Sequence, residues 1–161
     1  MTAAVLTVSD STARGHQQDL SGPALKALLE RHRFQVIASD VVADEQASIQ
    51  EAILEMASRA QLVVTTGGTG IAERDVTPEA TRAVCSRLVE GVAERVRAVG
   101  AQTTPLAALS RGVCGICGRA LVLNLPGSPQ AATESLTAVL DLLPHALELL
   151  AGKTSHDSRH R

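Results

Sequence analysis

Two acids and a run of glycines are the groups in this 161-residue chain best placed to do chemistry. Gly67-Gly68-Thr69-Gly70 follows directly on the apolar run Leu62-Val63-Val64, and Asp75 lies in the same connection, ahead of Pro78. Glycines let the backbone take φ > 0 and bring its N–H groups close to a ligand. At the carboxyl end of a parallel strand such a loop is a phosphate site. An anion nest beside a carboxylate repels one partner twice, unless a divalent cation sits between them. Asp44 also follows an apolar run, so a parallel sheet brings Asp44 and Asp75 to the rim that carries the glycine loop. Mg²⁺ takes oxygen ligands and rests on one or two carboxylates plus substrate phosphates. The pattern is that of a metal–nucleotide site. Its plainer alternatives are a tight turn for the glycines and a helix cap at Asp44 or Glu45.

Other chemistries fit less well. Neither G-x-G-x-x-G nor G-x-x-x-x-G-K-[ST] occurs, which disfavours a dinucleotide-binding dehydrogenase and a P-loop NTPase. With only Lys26 and Lys153 as lysines, a phosphate clamp falls to Arg74, Arg111 or Arg119. Ser110-Arg111 pairs a hydroxyl with a guanidinium, able to hold a phosphate or a polar ring edge, or to be ordinary surface. Cys114-x-x-Cys117 has only Cys85 and scattered histidines to complete a zinc set, and it precedes a hairpin rather than a helix. It reads as small strand residues. His16, His32, His145, His156 and His160 lack metal-binding spacing.

A formal charge of −2 and a pI near 6.2 give no electrostatic footprint for nucleic acid. Phe34 is the single aromatic residue, so no stacking platform for bases exists either. A bound purine or pterin must lie on aliphatic side chains, peptide planes or Arg. No signal peptide is visible, and no apolar run approaches the ~20 residues of a membrane helix. The odd count of three cysteines argues against a disulfide framework. The expectation is a cytoplasmic enzyme with reduced thiols.

The elements that must hold these groups alternate. Strands are expected at Ala3–Val8, Phe34–Val42 (interrupted by Ser39-Asp40) and near Leu62–Val64. Helices are expected after Ser21-Gly22-Pro23, through Ile49, Ile53 and Met56, and after Thr77-Pro78-Glu79. Ser21 and Thr77 are the natural caps. Residues 91–111 read as a helix, a break at Thr104-Pro105 and a short helical turn. Val113–Cys117 and Ala120–Leu125 form a hairpin through Gly118-Arg119. A long helix containing Leu136, Val139, Leu140 and Leu143 breaks near Pro144. The expected fold is α/β: a three-layer sandwich with a mostly parallel sheet, helices on both faces and a small antiparallel hairpin. Residues 1–152 form a single domain, and the polar stretch 153–161 is expected to be disordered.

Thr65–Glu79 (TTGGTGIAERDVTPE), Leu109–Gly112 (LSRG) and Asn124–Pro129 (NLPGSP) closely resemble the molybdopterin adenylyltransferases of molybdenum cofactor biosynthesis. Ser9-Asp10 and Asp19-x-Ser21-Gly22 match as well, and the likeness runs from about Ala3 to Leu150. It implies adenylyl transfer from Mg-ATP to the terminal phosphate of molybdopterin, releasing pyrophosphate. On this resemblance Asp44 and Asp75 hold Mg²⁺ and are the catalytic acids. Ser9, Asp10, Gly67, Gly68, Thr69 and Gly70 bind nucleotide phosphates. Ser110, Arg111, Pro126, Gly127 and Ser128 face the pterin. It also implies a homotrimer or a hexamer, and handover of product to a molybdenum insertase. Ala43 replaces a proline common in the family, Cys117 replaces an arginine that would meet the pterin phosphate, and an aromatic residue near Gly91 is missing. The runner-up is a non-catalytic molybdopterin-binding scaffold of the same fold. A third reading, the related domain acting on nicotinamide nucleotides, is usually fused to a deamidase for which this length leaves no room.

Overall fold

The computed structural model describes residues 1–153, so the expectation for the polar tail lies almost wholly outside the described residues. Six strands build one sheet: β1 (Thr2–Val8), β2 (Gln35–Val42), β3 (Leu62–Thr66), β4 (Arg87–Leu88), β5 (Cys114–Cys117) and β6 (Ala120–Leu125). Their order across the sheet is β2-β1-β3-β6-β5-β4. The first four in that order are mutually parallel; at the other end β5 runs antiparallel to β6, and β4 antiparallel to β5. The helices are α1 (Asp10–Ala13), α2 (Ser21–Arg31), α3 (Gln46–Ala57), α4 (Thr77–Val84), α5 (Glu90–Thr103), α6 (Pro129–Thr137) and α7 (Leu143–Leu150), with a 3₁₀ segment at Pro105–Leu109.

Alternate residues of a strand point to opposite faces, and here both sets are apolar because helices cover both faces. Ala3, Val5, Leu62, Val64, Leu121 and Leu123 pack with Leu25 and Leu29 of α2, Val96 of α5, Leu136 of α6 and Leu143 of α7. Ala4, Leu6, Val63 and Val122 pack instead with Ile49, Ile53 and Met56 of α3 and Ala80 of α4. The three-layer α/β arrangement is therefore as expected.

Four local expectations are corrected. The side chain that satisfies the start of α2 is that of Asp19, one residue before the N-cap position Leu20: its Oδ1 accepts the Gly22 N–H at 2.9 Å, and Ser21 is already inside the helix. Thr77 does not cap α4: its hydroxyl donates backwards to Gly67 O at 3.0 Å, and its N–H to Gly68 O at 3.1 Å. The helix start is thereby fastened to the glycine loop. β2 runs on through Ser39 and Asp40, which on an edge strand simply face solvent; its one irregularity against β1 falls earlier, between Val36 and Ala38. The two-residue β4 was not anticipated, being too short to carry a period.

Candidate functional site

The glycine loop leaves β3 at the carboxyl rim, beside the loop that leaves β6. Thr66 donates its hydroxyl to Pro126 O at 2.6 Å, and Gly67 N–H donates to Leu125 O at 3.2 Å. The approach is close: a Cβ on Gly127 would sit 3.3 Å from Gly67 Cα. Gly68 has φ 65°, and a Cβ there would run into Thr77 Oγ1 while lying 3.1 Å from Asp44 Oδ1. The glycine thus lets the Asp44 carboxylate come down on the loop.

Below the loop lies a buried polar network. Asn124, 3% exposed near the carboxyl end of the otherwise apolar β6, accepts the Val113 N–H at 3.1 Å and donates to the Thr65 and Thr81 hydroxyls at 3.0 and 2.9 Å. It fastens β3, β6 and α4 together directly under the site. Buried polar groups that are fully satisfied specify one arrangement rather than many.

Asp44 and Asp10 are tied reciprocally across the ends of β1 and β2. Asp44 Oδ2 accepts the Asp10 N–H at 2.9 Å, and Asp10 Oδ1 accepts the Asp44 N–H at 3.0 Å. Arg74 closes on Asp10 with Nε and Nη2 at 2.9 and 2.8 Å. The Asp44 N–H, followed by the Arg74 guanidinium, holds the Asp10 carboxyl below its ordinary pKa. Asp44 moves the other way: burial raises its pKa, and the negative charges of Asp10 and Asp75 add to the rise. Asp75 Oδ2 accepts the Ala72 N–H at 3.0 Å and would lie 2.8 Å from a Cβ on Gly70. Both acids therefore bear on the glycine loop, each with one oxygen held by a backbone amide.

This arrangement fits a hard divalent cation. Among the described residues no group of three or more His, Cys, Asp and Glu gathers as a self-sufficient metal cage. Two carboxylates charged against each other beside a phosphate nest are what Mg²⁺ needs when substrate oxygens complete its shell. The N-termini of α4 and α6 add positive dipole ends around the same loop.

A cavity of about 560 Å³ opens here, lined by Gly68, Thr69, Gly70, Asp75, Ser110, Pro126, Gly127 and Ser128 together. Its walls add Val96, Leu106 and Leu109, aliphatic surface of the kind required without aromatics, together with Arg97. Ser9 and Gly67 line a smaller cavity of about 170 Å³, separated from the first at Gly127. Ser9 Oγ accepts the Thr12 N–H at 3.3 Å and so caps α1, and Ser128 Oγ accepts the Ala131 N–H at 3.2 Å and caps α6. Ser110 also borders a third, more polar cavity of about 480 Å³ that includes Arg111.

Sequence reasoning missed Asn124 as a support and Arg97 as a wall residue. A lone Asn inside LVLNL was the available signal for the first. Arg97, whose Nη1 donates to Gly112 O at 2.8 Å, had no local signal. Cys117 pairs with Ala120, and β6 starts beside the start of β3, so the Gly118-Arg119 turn lies on the rim opposite the glycine loop. Within the chain, neither the charge lost at Cys117 nor Arg119, one of the three candidate phosphate clamps, reaches this site.

The model of the probable molybdopterin binding domain family matches residues 4–145. A molybdopterin adenylyltransferase of Helicobacter pylori strain J99 is 40% identical over 152 residues, covering 92% of this chain and 86% of that protein. The solved molybdopterin biosynthesis enzyme MoaB of Thermus thermophilus is 51% identical, with a TM-score of 0.89 over 94% of this chain and 97% of that one. The molybdenum cofactor synthesis protein cinnamon of Drosophila melanogaster is 40% identical over 158 residues, only 26% of its own length.

Proposed function

The chain belongs to the molybdopterin-binding family of molybdenum cofactor biosynthesis, and from that premise we propose that it adenylylates molybdopterin with Mg-ATP. The terminal phosphate oxygen of molybdopterin attacks the α-phosphorus of ATP. The bond from that phosphorus to the bridging oxygen breaks, and pyrophosphate leaves. One observation carries the reading: the glycine loop and Asp75 line one cavity with Ser110 and Pro126–Ser128, and Asp44 bears on the same loop. Two substrates are thereby brought to one point, and alignment of nucleophile and phosphorus supplies much of such catalysis.

Asp44 and Asp75 hold Mg²⁺, which when bound neutralises charge on the nucleotide phosphates. The amides of Gly67–Gly70 and the adjoining helix N-termini bind those phosphates, with Asp10 and Ser9 shaping the neighbouring rim. Val96, Leu106, Leu109 and Pro126 give the ring systems an apolar bed and exclude water. Ser110, Gly127 and Ser128 face the pterin. We assign the active form to a homotrimer or dimer of trimers in the cytoplasm, its product passing to a molybdenum insertase. The Drosophila relative, in which a matching segment is joined to further chain, supports that handover. Among the described residues no helix is long and apolar enough to cross a membrane.

The placement of both acids favours the enzyme over a carrier scaffold. Equilibrium binding of ATP with and without Mg²⁺ tests this. ATP binding that needs the metal and is lost in Asp75→Asn supports the reading, and metal-independent or absent ATP binding refutes it.

A further inference from the structure

Arg111 is a residue whose sequence context points to a ligand but whose contacts in the fold are all internal. Its backbone N–H donates to Thr69 O at 2.8 Å, its Nε to Gly70 O at 2.7 Å and its Nη2 to Asp75 O at 2.6 Å. Its Nη1 pairs with the Glu79 carboxylate in the first turn of α4. A guanidinium offers five N–H groups in a planar fork, and here the fork is spread over three acceptors of the protein itself. The Arg111 guanidinium, the largest influence on Glu79, holds that carboxyl below its ordinary pKa.

The contacts have a pattern. Arg111 takes the carbonyls at both ends of the segment Gly70–Asp75 and anchors them to α4. Nothing apolar holds that segment: Ile71 is 70% exposed, and residues 72–74 face solvent. Hydrogen bonds fix it instead, from Arg111 on one side and from the Arg74–Asp10 pair on the other. The Asp75 carboxylate can face the glycine loop only while its main chain is held.

We propose that Arg111 is a positioning residue that sets Asp75 by gripping both ends of the 70–75 segment, and that it does not contact the pterin. The inference rests on the reading of Asp75 as a metal-side acid, and it corrects the placement of Arg111 among the pterin contacts. The Arg111–Glu79 pair is 38% and 43% exposed, so it adds little to global stability. Lysine keeps the charge but has no fork to reach three acceptors at once, so it cannot substitute.

The test uses the full chain with Arg111→Lys and Glu79→Gln. Hydrogen exchange of the 70–77 amides should quicken at least tenfold in Arg111→Lys and less in Glu79→Gln, with the sheet amides unchanged. The Mn²⁺ concentration for half-saturation in the presence of ATP should rise at least tenfold, while molybdopterin binding without nucleotide stays within twofold. Native exchange rates across 70–77 would overturn the proposal. So would a tenfold loss of molybdopterin affinity with Mn²⁺ unaffected, or faster exchange throughout the molecule. If the unaltered chain binds no Mn²⁺ with ATP, the adenylyl-transfer reading fails, and the exchange rates still decide the role of Arg111.

Discussion

Replacing Gly68 by alanine separates what the loop conformation costs from what its contacts cost. A φ of 65° is left-handed, and an L side chain there costs about 1–2 kcal/mol. The new methyl also meets Thr77 Oγ1, which belongs to a fully buried residue and donates to Gly67 O at 3.0 Å. Moving that hydroxyl aside breaks the bond and leaves a buried carbonyl unpaired, a further ~1–3 kcal/mol. The total is roughly 2–5 kcal/mol. Gly118, with φ 61° and nothing within 4 Å of a Cβ, is the matched control and should lose only about 1–2 kcal/mol on change to alanine. Urea unfolding at one fixed protein concentration measures both. The methyl lies 3.1 Å from Asp44 Oδ1, so Gly68→Ala should also weaken Mn²⁺ binding tenfold or more, whereas Gly118→Ala leaves it alone. Equal losses of stability in the two variants, or unaltered metal binding in Gly68→Ala, would refute the reasoning.

Asn124→Ala strands the Val113 N–H and removes the bonds to Thr65 and Thr81, and should cost about 2–4 kcal/mol in urea unfolding; under 1 kcal/mol would show that the network is slack. The raised pKa of Asp44 means that its ionised form is the one disfavoured by folding, so its destabilisation grows as pH climbs from 3.8 through the raised value. Metal-free Asp44→Asn should therefore be more stable than the unaltered chain at pH 7, with the difference closing at pH below 3.8. Metal affinity should correspondingly start to fall, on acidification, at a higher pH than an ordinary Asp would give, as a Mn²⁺ titration against pH would show. Cys117→Ser, on the opposite rim, should leave molybdopterin affinity within twofold, and a tenfold change in direct binding would contradict the placement of that rim.

The parallel sheet and its two covered faces were legible because the central strands are predominantly apolar on both faces and α2 and α3 carry apolar spacing. The glycine loop and both acids were legible because strand ends dictate the rim. Residues acting across long sequence separations were not. The 34-residue gap between Asp10 and Asp44 hides their exchange of amide bonds, and the 36-residue gap between Asp75 and Arg111 hides the brace. Thr77 looked like a cap because Thr before Pro usually is one. The glycine loop, folding back over the helix start, claimed its hydroxyl first. Cys117 looked relevant to the pterin from its place in the family pattern, and only the register of β6 against β3 moves it to the far rim.

The most direct test of adenylyl transfer is pyrophosphate release from Mg-ATP with and without molybdopterin, run beside Asp44→Asn and Asp75→Asn. The account predicts release that requires the pterin and drops at least a hundredfold in either variant. Release without molybdopterin, undiminished release in both variants, or bound molybdopterin with no pyrophosphate at all would contradict it.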